Sequence, residues 1–479
     1  MQKPKIIRTI RPPEYRLVPE TENSHIMGGA KWLLKPIDLE KYGYIEEEYI
    51  VKGYSNVYDW EDDEKYPHVI FTDAPYCSRI VVRKPKDPSK FSGIVHCELC
   101  NPNSGYDRSN TGWAPSNEYI MSRGHGSVSM TISEIAMKGL RRFDPERYGE
   151  LAFKNPIRPE DRMPAVMGLG GRMPDEETED GLKWDYISQV GALVKSGLPG
   201  SPFDGYGVKK IMLQGTTGGD LSAYAAAIHP LVRLGGGEHV YDGFLVFMTG
   251  APGGLNNYRA MLHELDPRDL YTCEVPLIHL LTLGDLLGDT IHPSWSTLWH
   301  RYQPNEEGRY LRIIEIAGAG ISRRYASAYS CCNEDVEKAG AKQLVGAGEM
   351  QAEYPAHYVV CAMIENLIEW MTTGKAPEIC DYVETEGEYP NLRFKKDRFG
   401  NAMGGLRSPY VDCPLYVYTP AGGTERRLTD DEIRSLYSSR EDYVKKVTAS
   451  VNKMLEKRYI LPEHAEMVIK EAEEAELPF

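Results

Sequence analysis

The segment 208–224 most constrains what this chain can fold into. An apolar stretch at 209–214 predicts a buried strand, and the small residues after 219 favour a helix. A strand, a tight glycine turn and a helix form the arrangement in which G-x-S-x-G presents a nucleophilic serine, with a backbone N–H beyond it for an oxyanion. Here residues 215–219 read G-T-T-G-G, so the glycines are present and the serine is not.

Length and composition exclude several classes of protein. A chain of 479 residues can form one large α/β domain with insertions, or two domains. Its 41% hydrophobic and 26% charged residues are ordinary for a globular protein. A formal charge of −15 argues against nucleic acid or an anionic membrane as partner. Because no signal peptide or membrane-spanning run is recognisable, we expect a soluble, cytoplasmic protein and leave homo-oligomerisation open.

Strand-like and helical segments alternate along most of the chain. Short β-like runs at 69–72 and 78–83 indicate an antiparallel lead-in to a sheet. The alternation with helices predicts a mostly parallel, doubly wound sheet, which binds ligands at the carboxyl ends of its strands. The strands of this part are predicted at 93–99, 126–132, 209–214, 243–248, 277–283 and 311–316.

An insertion near 150–200 interrupts this alternation. Residues 158–180 are rich in Pro, Gly, Met and acidic residues and are too long for a simple connection. They form either a lid that faces the substrate or a surface excursion, and both interpretations stay open. We expect three regions: an N-terminal β extension at 1–90, an α/β core at 91–425 and C-terminal helices that pack on the core at 426–479.

The cysteines indicate neither disulfides nor a metal site. Nine cysteines, an odd number, do not suggest a disulfide framework. Cys97 and Cys100 form a C-x-x-C, but a zinc site would need a second pair at suitable spacing, so buried reduced thiols are expected. No dinucleotide fingerprint follows a strand, and the sequence predicts no cofactor and no metal.

Several motifs resemble those of the large bacterial α/β-hydrolase-domain proteins. The elbow of that family reads like G-W-S-Q-T-G-G-x-L-x-x-Y. This chain keeps the last two glycines of that motif, Gly218 and Gly219, and also its leucine and tyrosine, Leu221 and Tyr224. Residues 312–318 (R-I-I-E-I-A-G) resemble its R-x-x-E-V-A-G, and residues 397–409 resemble its D-x-x-G-N-x-x-G-G-x-R-x-P. The resemblance covers most of 90–475. It implies an α/β-hydrolase fold with antiparallel N-terminal strands, a lid-like insertion and a helical C-terminal region.

The sequence departs from that family at the nucleophile and at the base. Alignment on the last two elbow glycines places Gly215 at the position of the nucleophile, whereas alignment on the first glycine places Thr217 there. Where the family has its catalytic histidine, after 312–318, this chain has Ile321 or its neighbours. The resemblance therefore implies a degenerate catalytic triad and altered chemistry.

Candidate groups for attack and for an oxyanion hole follow the strands at 93–99 and 209–214. Thr217 could attack as an alkoxide, although a β-branched residue suits a positive φ poorly. Alternatively, Thr216 and Thr217 only hydrogen-bond the turn and cap the helix. The N–H of Gly218 could bind a carbonyl oxygen at the helix N-terminus. Asn101 and Asn103 could polarise the substrate or close a loop in an Asx turn.

Candidates for proton transfer and for substrate binding lie further along the chain. His292 could replace the missing base, whereas His357 is more typical of a packing or capping residue. Asp285 could orient a base or simply end a strand. Arg323 and Tyr325, close to the missing histidine, could bind a carboxylate, phenolate or enolate, or lie on the surface.

The sequence therefore predicts a hydrolase-like enzyme acting on a small organic ester, lactone or related carbonyl compound. Thr217 or a water would attack, and Asp285 would support a relocated histidine. The alternative is a cofactor-independent lyase or isomerase that stabilises an enolate or phenolate. A third possibility is a non-catalytic binding protein that retains only the fold.

Overall fold

The computed structural model describes residues 6–60, 66–109, 112–166, 173–215, 218–247, 254–258, 273–286, 309–319, 328–343, 354–387, 393–418 and 424–479. The chain divides into two compact units. The first comprises Met1–Val275 and Ala326–Gly346, and the second comprises Pro276–Tyr325 and Ala347–Phe479.

The strands of the described residues are numbered in chain order. They are β1 (Arg8–Thr9), β2 (Glu14–Val18), β3 (Tyr44–Asp59), β4 (His68–Pro85), β5 (Ile94–Leu99), β6 (Gly126–Met130), β7 (Lys210–Gly215), β8 (Val232–Arg233), β9 (Gly243–Phe247), β10 (Leu277–Thr282), β11 (Leu311–Ile316), β12 (Thr385–Glu386), β13 (Arg393–Phe394), β14 (Tyr416–Tyr418) and β15 (Thr424–Arg427).

The helices of the described residues are numbered in the same way. They are α1 (Trp113–Ser122), α2 (Glu134–Phe143), α3 (Pro145–Tyr148), α4 (Lys183–Ser196), α5 (Gly218–Ala223), α6 (Leu283–Leu286), α7 (Asn333–Lys338), α8 (His357–Thr373), α9 (Pro409–Asp412), α10 (Asp430–Leu436), α11 (Arg440–Glu456) and α12 (Pro462–Glu474). A π-helical turn, Tyr224–Ile228, follows α5 directly. Within the described ranges, none of the helices has the length and apolar character needed to span a bilayer.

The first unit contains the predicted sheet, mostly parallel at its centre and antiparallel at its N-terminal side. Its strand order is β9-β7-β5-β6-β4-β3-β2. The strands β5, β6, β7 and β9 run parallel to one another, whereas β2, β3 and β4 pair antiparallel and β4 is also antiparallel to β6. Every residue of β5, β6 and β9 is buried. Strand β9 is accordingly a continuous apolar run, as is typical of a parallel strand covered on both faces, whereas β5 and β6 also bury polar residues.

The lead-in strands are longer than the sequence indicated. The two short runs predicted at 69–72 and 78–83 belong to the single 18-residue strand β4. Pro75 is tolerated inside it because β4 pairs with β6 only over Ile80–Arg83, so no neighbour on that side needs the missing N–H at position 75.

Before α4, the described part of the insertion contains single 3-10 turns at Pro159–Asp161 and Asp180–Leu182. Segment 254–258 holds it in place. The N–H of Val166 donates to the carbonyl of Asn257 (2.9 Å), and the Asn257 amide donates to the carbonyl of Thr178 (2.7 Å). The N–H of Asn257 donates to Glu179 (3.1 Å), and burial raises the pKa of Glu179 to about 7.

The second unit contains the parallel pair β10 and β11, in register from Leu277↔Leu311 to Thr282↔Ile316 and buried throughout. Two short antiparallel pairs, β12 with β13 and β14 with β15, precede the C-terminal helices. Helix α10 begins with a capping box between Thr429 and Glu432. The helical C-terminal region is therefore confirmed.

Candidate active site

Strand β7 leads into helix α5 at the position where the sequence predicts the elbow. Strand β7 ends at Gly215 and α5 begins at Gly218, so two residues separate strand from helix. Gly215 lies against Leu99 of the neighbouring strand, and an added Cβ would lie 3.2 Å from both the Cβ and the carbonyl oxygen of Leu99. A glycine at 215 therefore lets β5 and β7 approach closely at their carboxyl ends. Thr216 and Thr217 lie outside the described residues.

Helix α5 is anchored from its first turn. Asp220 forms an ion pair with Lys183 of α4, with 2.7 Å between Oδ1 and Nζ, and both side chains are largely buried. Leu221 and Ser222 are fully buried, as are all residues of the following π-helical turn. The helix that follows the elbow is therefore fixed against α4.

Asn101 closes the loop that follows β5. Its backbone N–H and carbonyl pair with those of Arg108 at 2.9 and 3.1 Å. Its side-chain oxygen accepts from the N–H of Asn103 (3.0 Å) and from Nη2 of Arg108 (3.2 Å). The geometry is that of an Asx turn, and it uses the amide oxygen within the loop. The side chain of Asn103 is exposed.

Asp107 fixes the same loop through hydrogen bonds to two neighbouring segments. The Oδ2 atom of Asp107 accepts from Nη2 of Arg79 at 3.1 Å and from the hydroxyl of Thr131. Arg79 is itself buried and donates to Glu48 at 2.7 Å, so the carboxylates surround its guanidinium and keep the pKa of Arg79 above its usual value despite burial.

Glu98 and Gln214 lie side by side at the ends of β5 and β7, where they are in register. Glu98 accepts from the N–H groups of Gly112 (2.8 Å) and Trp113 (3.0 Å) and from the Ser109 hydroxyl (2.6 Å), and thereby caps α1. Both atoms of the Gln214 amide are buried and have no hydrogen-bond partner among the described residues.

Sequence reasoning missed Arg79, Glu98, Asp107 and Gln214. A usable signal was present for two of them, because Arg79 and Glu98 are charged residues within runs that were predicted as strands. A charge that is buried on a strand must be paired, and its partners mark the segments packed on that strand.

In the second unit, Asp285 lies just after a strand, and its role in orienting a base stays a prediction. It lies in the short helix α6, directly after β10, and only 2% of its surface is exposed. Its Oδ2 atom accepts from both the N–H and the hydroxyl of Thr282, each at 2.8 Å. The turn at the end of β10 therefore holds this carboxylate in one orientation.

His357 begins helix α8 and packs against other rings. Its ring centroid lies 4.1 Å from that of Tyr358 and 6.2 Å from that of His464. Burial, assisted by the neighbouring His464, lowers the pKa of His357 to about 3, so its imidazole is neutral at physiological pH. His292, Arg323 and Tyr325 lie outside the described residues.

The C-x-x-C thiols and the strand histidine are part of the core. Cys97 and Cys100 are buried and unbridged, and burial raises the pKa of both thiols. His96 lies with its Nε2 2.9 Å from Nδ1 of the buried His125. No cluster of three or more metal-ligating side chains occurs among the described residues.

The parallel strands at the centre of the sheet, with helices following them along the chain, define this as an α/β protein, a class that binds ligands at the carboxyl ends of such strands. The sequence matches the model of the α/β hydrolase domain family over residues 10–470. The chain belongs to this family and is an α/β-hydrolase-fold enzyme whose reaction class the match leaves open. The predicted fold and family are thus confirmed.

Comparison with other proteins adds little to that assignment. No protein of curated function matches the sequence. Among solved structures, esterases of Rhizomucor miehei match with 10% identity and a TM-score of 0.36, covering 71% of this chain and 92% of theirs. A glucuronoyl esterase from Solibacter usitatus gives 12% identity, 72% and 79% coverage and a TM-score of 0.26. An α/β serine hydrolase without lid from Xanthomonas campestris gives 10% identity, 55% and 85% coverage and a TM-score of 0.27. At such low identities and TM-scores, these likenesses carry no argument about substrate or mechanism.

Proposed function

We propose that the protein hydrolyses a small organic ester, lactone or related carbonyl compound with non-standard catalytic residues. The observation that carries this proposal is the transition from β7 to α5, where only Thr216 and Thr217 separate Gly215 from Gly218. In this fold the nucleophile stands in that short turn. Thr217 or a water is the attacking group, since no serine occupies residues 215–219.

Asp285 supports the same proposal from the second unit. A hydrolase needs an acid that orients its base, and a carboxylate fixed by the turn at the end of β10 suits that role. We assign the base to a relocated histidine, and His292 is the candidate because it follows Asp285 closely in the sequence. The neutral, ring-packed His357 is a weaker candidate.

A panel of p-nitrophenyl esters and lactones tests the proposal, with Thr217→Ala run beside the wild-type enzyme. If Thr217 is the nucleophile, kcat falls by about 1,000-fold or more in the variant, as for other triad members. Thr372→Ala, at an exposed threonine of α8, is the matched control and should leave kcat unchanged.

The two other outcomes are equally informative. Activity that survives in Thr217→Ala assigns the attack to water and moves attention to the base. No turnover of any ester or lactone by the wild-type enzyme refutes the hydrolase proposal and leaves a lyase or isomerase acting on an enolate or phenolate.

A further inference from the structure

The first unit contains a second cleft, of about 690 Å³, in the size range of small-molecule sites. Its lining comes from segments 8–14, 52–56, 73–77 and 150–154 and from the α4 residues Asp185 and Gln189. Neither Gly215 nor the loop at 100–109 is among the residues that line it. The cleft is therefore separate from the candidate active site.

Two carboxylates that line this cleft, the buried Asp185 and the partly exposed Glu150, already form ion pairs. Asp185 accepts from Arg8 (2.6 Å) and from the hydroxyl of Tyr58 (2.7 Å). Glu150 pairs with Lys52 at 2.6 Å and also with Arg16. Because these carboxylates already have cationic partners, they present no uncompensated charge that would select an ion.

Four further charged residues line the cleft: Arg11, Lys154, Glu14 and Asp73. None of them forms a salt bridge with another described residue, and the two signs are equally represented. Together they offer hydrogen-bond donors and acceptors with a balanced charge, which suits a neutral ligand rich in hydroxyl groups. Asp73 also has a left-handed backbone (φ 55°), a conformation that non-glycine residues adopt rarely and often at ligand sites.

An aromatic ring stands at the edge of the cleft. Tyr54 is 64% exposed, an unusual exposure for a large aromatic residue on a strand. Its backbone is nevertheless fixed, because its carbonyl accepts from the Gln189 amide (2.7 Å) and the oxygen of that amide accepts from Tyr76 (2.6 Å). An exposed tyrosine whose backbone is fixed in this way provides a flat apolar surface next to the polar lining.

We propose that this cleft binds a neutral carbohydrate of one or two sugar units. The C–H face of a sugar ring packs on Tyr54, and its hydroxyls take up the hydrogen-bonding capacity of Arg11, Lys154 and Asp73. An anionic or cationic ligand is disfavoured by the balanced charges, and an apolar ligand is disfavoured because it would desolvate them.

Isothermal titration of the full chain with cellobiose and with maltose tests this inference. At least one of the two sugars should bind, and Tyr54→Ala should weaken that binding by about tenfold, the value of one aromatic contact. Asp73→Asn, which keeps the shape of the side chain, should also weaken binding. The matched control is Tyr310→Ala, at a tyrosine that is 50% exposed in the second unit, and it should have no effect.

Three results would overturn the inference. They are no binding of either sugar, sugar binding that is equal in the wild type and Tyr54→Ala, and binding of the zwitterion glycylglycine in place of the sugars. A thermal melt of each variant separates loss of the cleft from loss of the fold. Since neither Gly215 nor the loop at 100–109 lines the cleft, these results are read independently of the Thr217→Ala experiment.

Discussion

The strands β5 and β7 are neighbours in one sheet, yet their carboxyl ends differ in how well their buried polar groups are hydrogen-bonded. Around the loop, the carboxylate of Glu98 at the end of β5 accepts three hydrogen bonds and that of Asp107 within the loop accepts two. At the end of β7, Gln214 is fully buried and its amide has no partner among the described residues. Gly215 contributes only its close packing against Leu99.

This difference indicates that the end of β7 lowers the free energy of unfolding relative to a fully hydrogen-bonded strand end. A buried amide without partners costs about 1–3 kcal/mol for each unsatisfied group, whereas a saturated carboxylate holds the segments around it. Proteins retain such costs mainly at functional sites. The end of β7, which leads into the elbow, is thus the less stabilised of the two strand ends, and the loop after β5 is the rigid one.

The largest effect is expected at Glu98. Glu98→Leu leaves the N–H groups of Gly112 and Trp113 buried without an acceptor, so the free energy of unfolding should fall by about 3 kcal/mol or more. Urea unfolding monitored by tryptophan fluorescence measures this loss. Glu98→Gln keeps one acceptor oxygen and should lose less. Equal stability of the wild type and Glu98→Leu would mean that the carboxylate does not hold the loop.

The fold could be predicted from the sequence because its signals are local and repeated. Apolar runs mark β5, β7 and β11 within one or two residues, and Thr429 with Glu432 marks the start of α10. The length of β4 could not be predicted. A proline such as Pro75 normally indicates the end of a strand, and only the pairing of both edges of β4 shows that its missing N–H is not needed there.

The site could be predicted only in part. Sequence position indicated that Asp285 follows a strand, and the structure places it in the turn that ends β10. Whether Asn101 polarises a substrate or closes its loop depends on Arg108 and Asn103, and local sequence does not reveal those contacts. The partners of Glu98 and the lack of partners for Gln214 are tertiary facts, which a single sequence does not contain.

An intermediate effect is expected from the histidine pair at β5, and it depends on pH. Burial lowers the pKa of His125 to about 3, below the value of about 6.5 in an unfolded chain. The unfolded state therefore binds the proton first, and stability from this residue is present above pH 6.5 and lost as the pH falls towards 3. The expected slope is at most about 1.4 kcal/mol per pH unit for each such histidine.

His125→Phe keeps a ring beside His96 and Tyr119 but removes this titration. Urea unfolding at several pH values between 3 and 7 should show a shallower loss of stability for the variant than for the wild type. Parallel curves for the two proteins would show that His125 is not held neutral by burial. Strand β7 contains no histidine, so this test concerns only the β5 side of the sheet.

The smallest effect, and the one of opposite sign, is expected at Gln214. Gln214→Met has nearly the same shape but no unsatisfied polar atoms, so the free energy of unfolding should rise by about 1 kcal/mol. Gln189→Met is the matched control, because the Gln189 amide bonds both Tyr76 and the carbonyl of Tyr54. That control should be destabilised.

Destabilisation of both variants alike would break the contrast between the two strand ends, since it would mean that the Gln214 amide has a partner. A more stable Gln214→Met with reduced turnover of its ester substrate would sharpen the contrast, because it would show that the unsatisfied amide is kept for the reaction rather than for the fold.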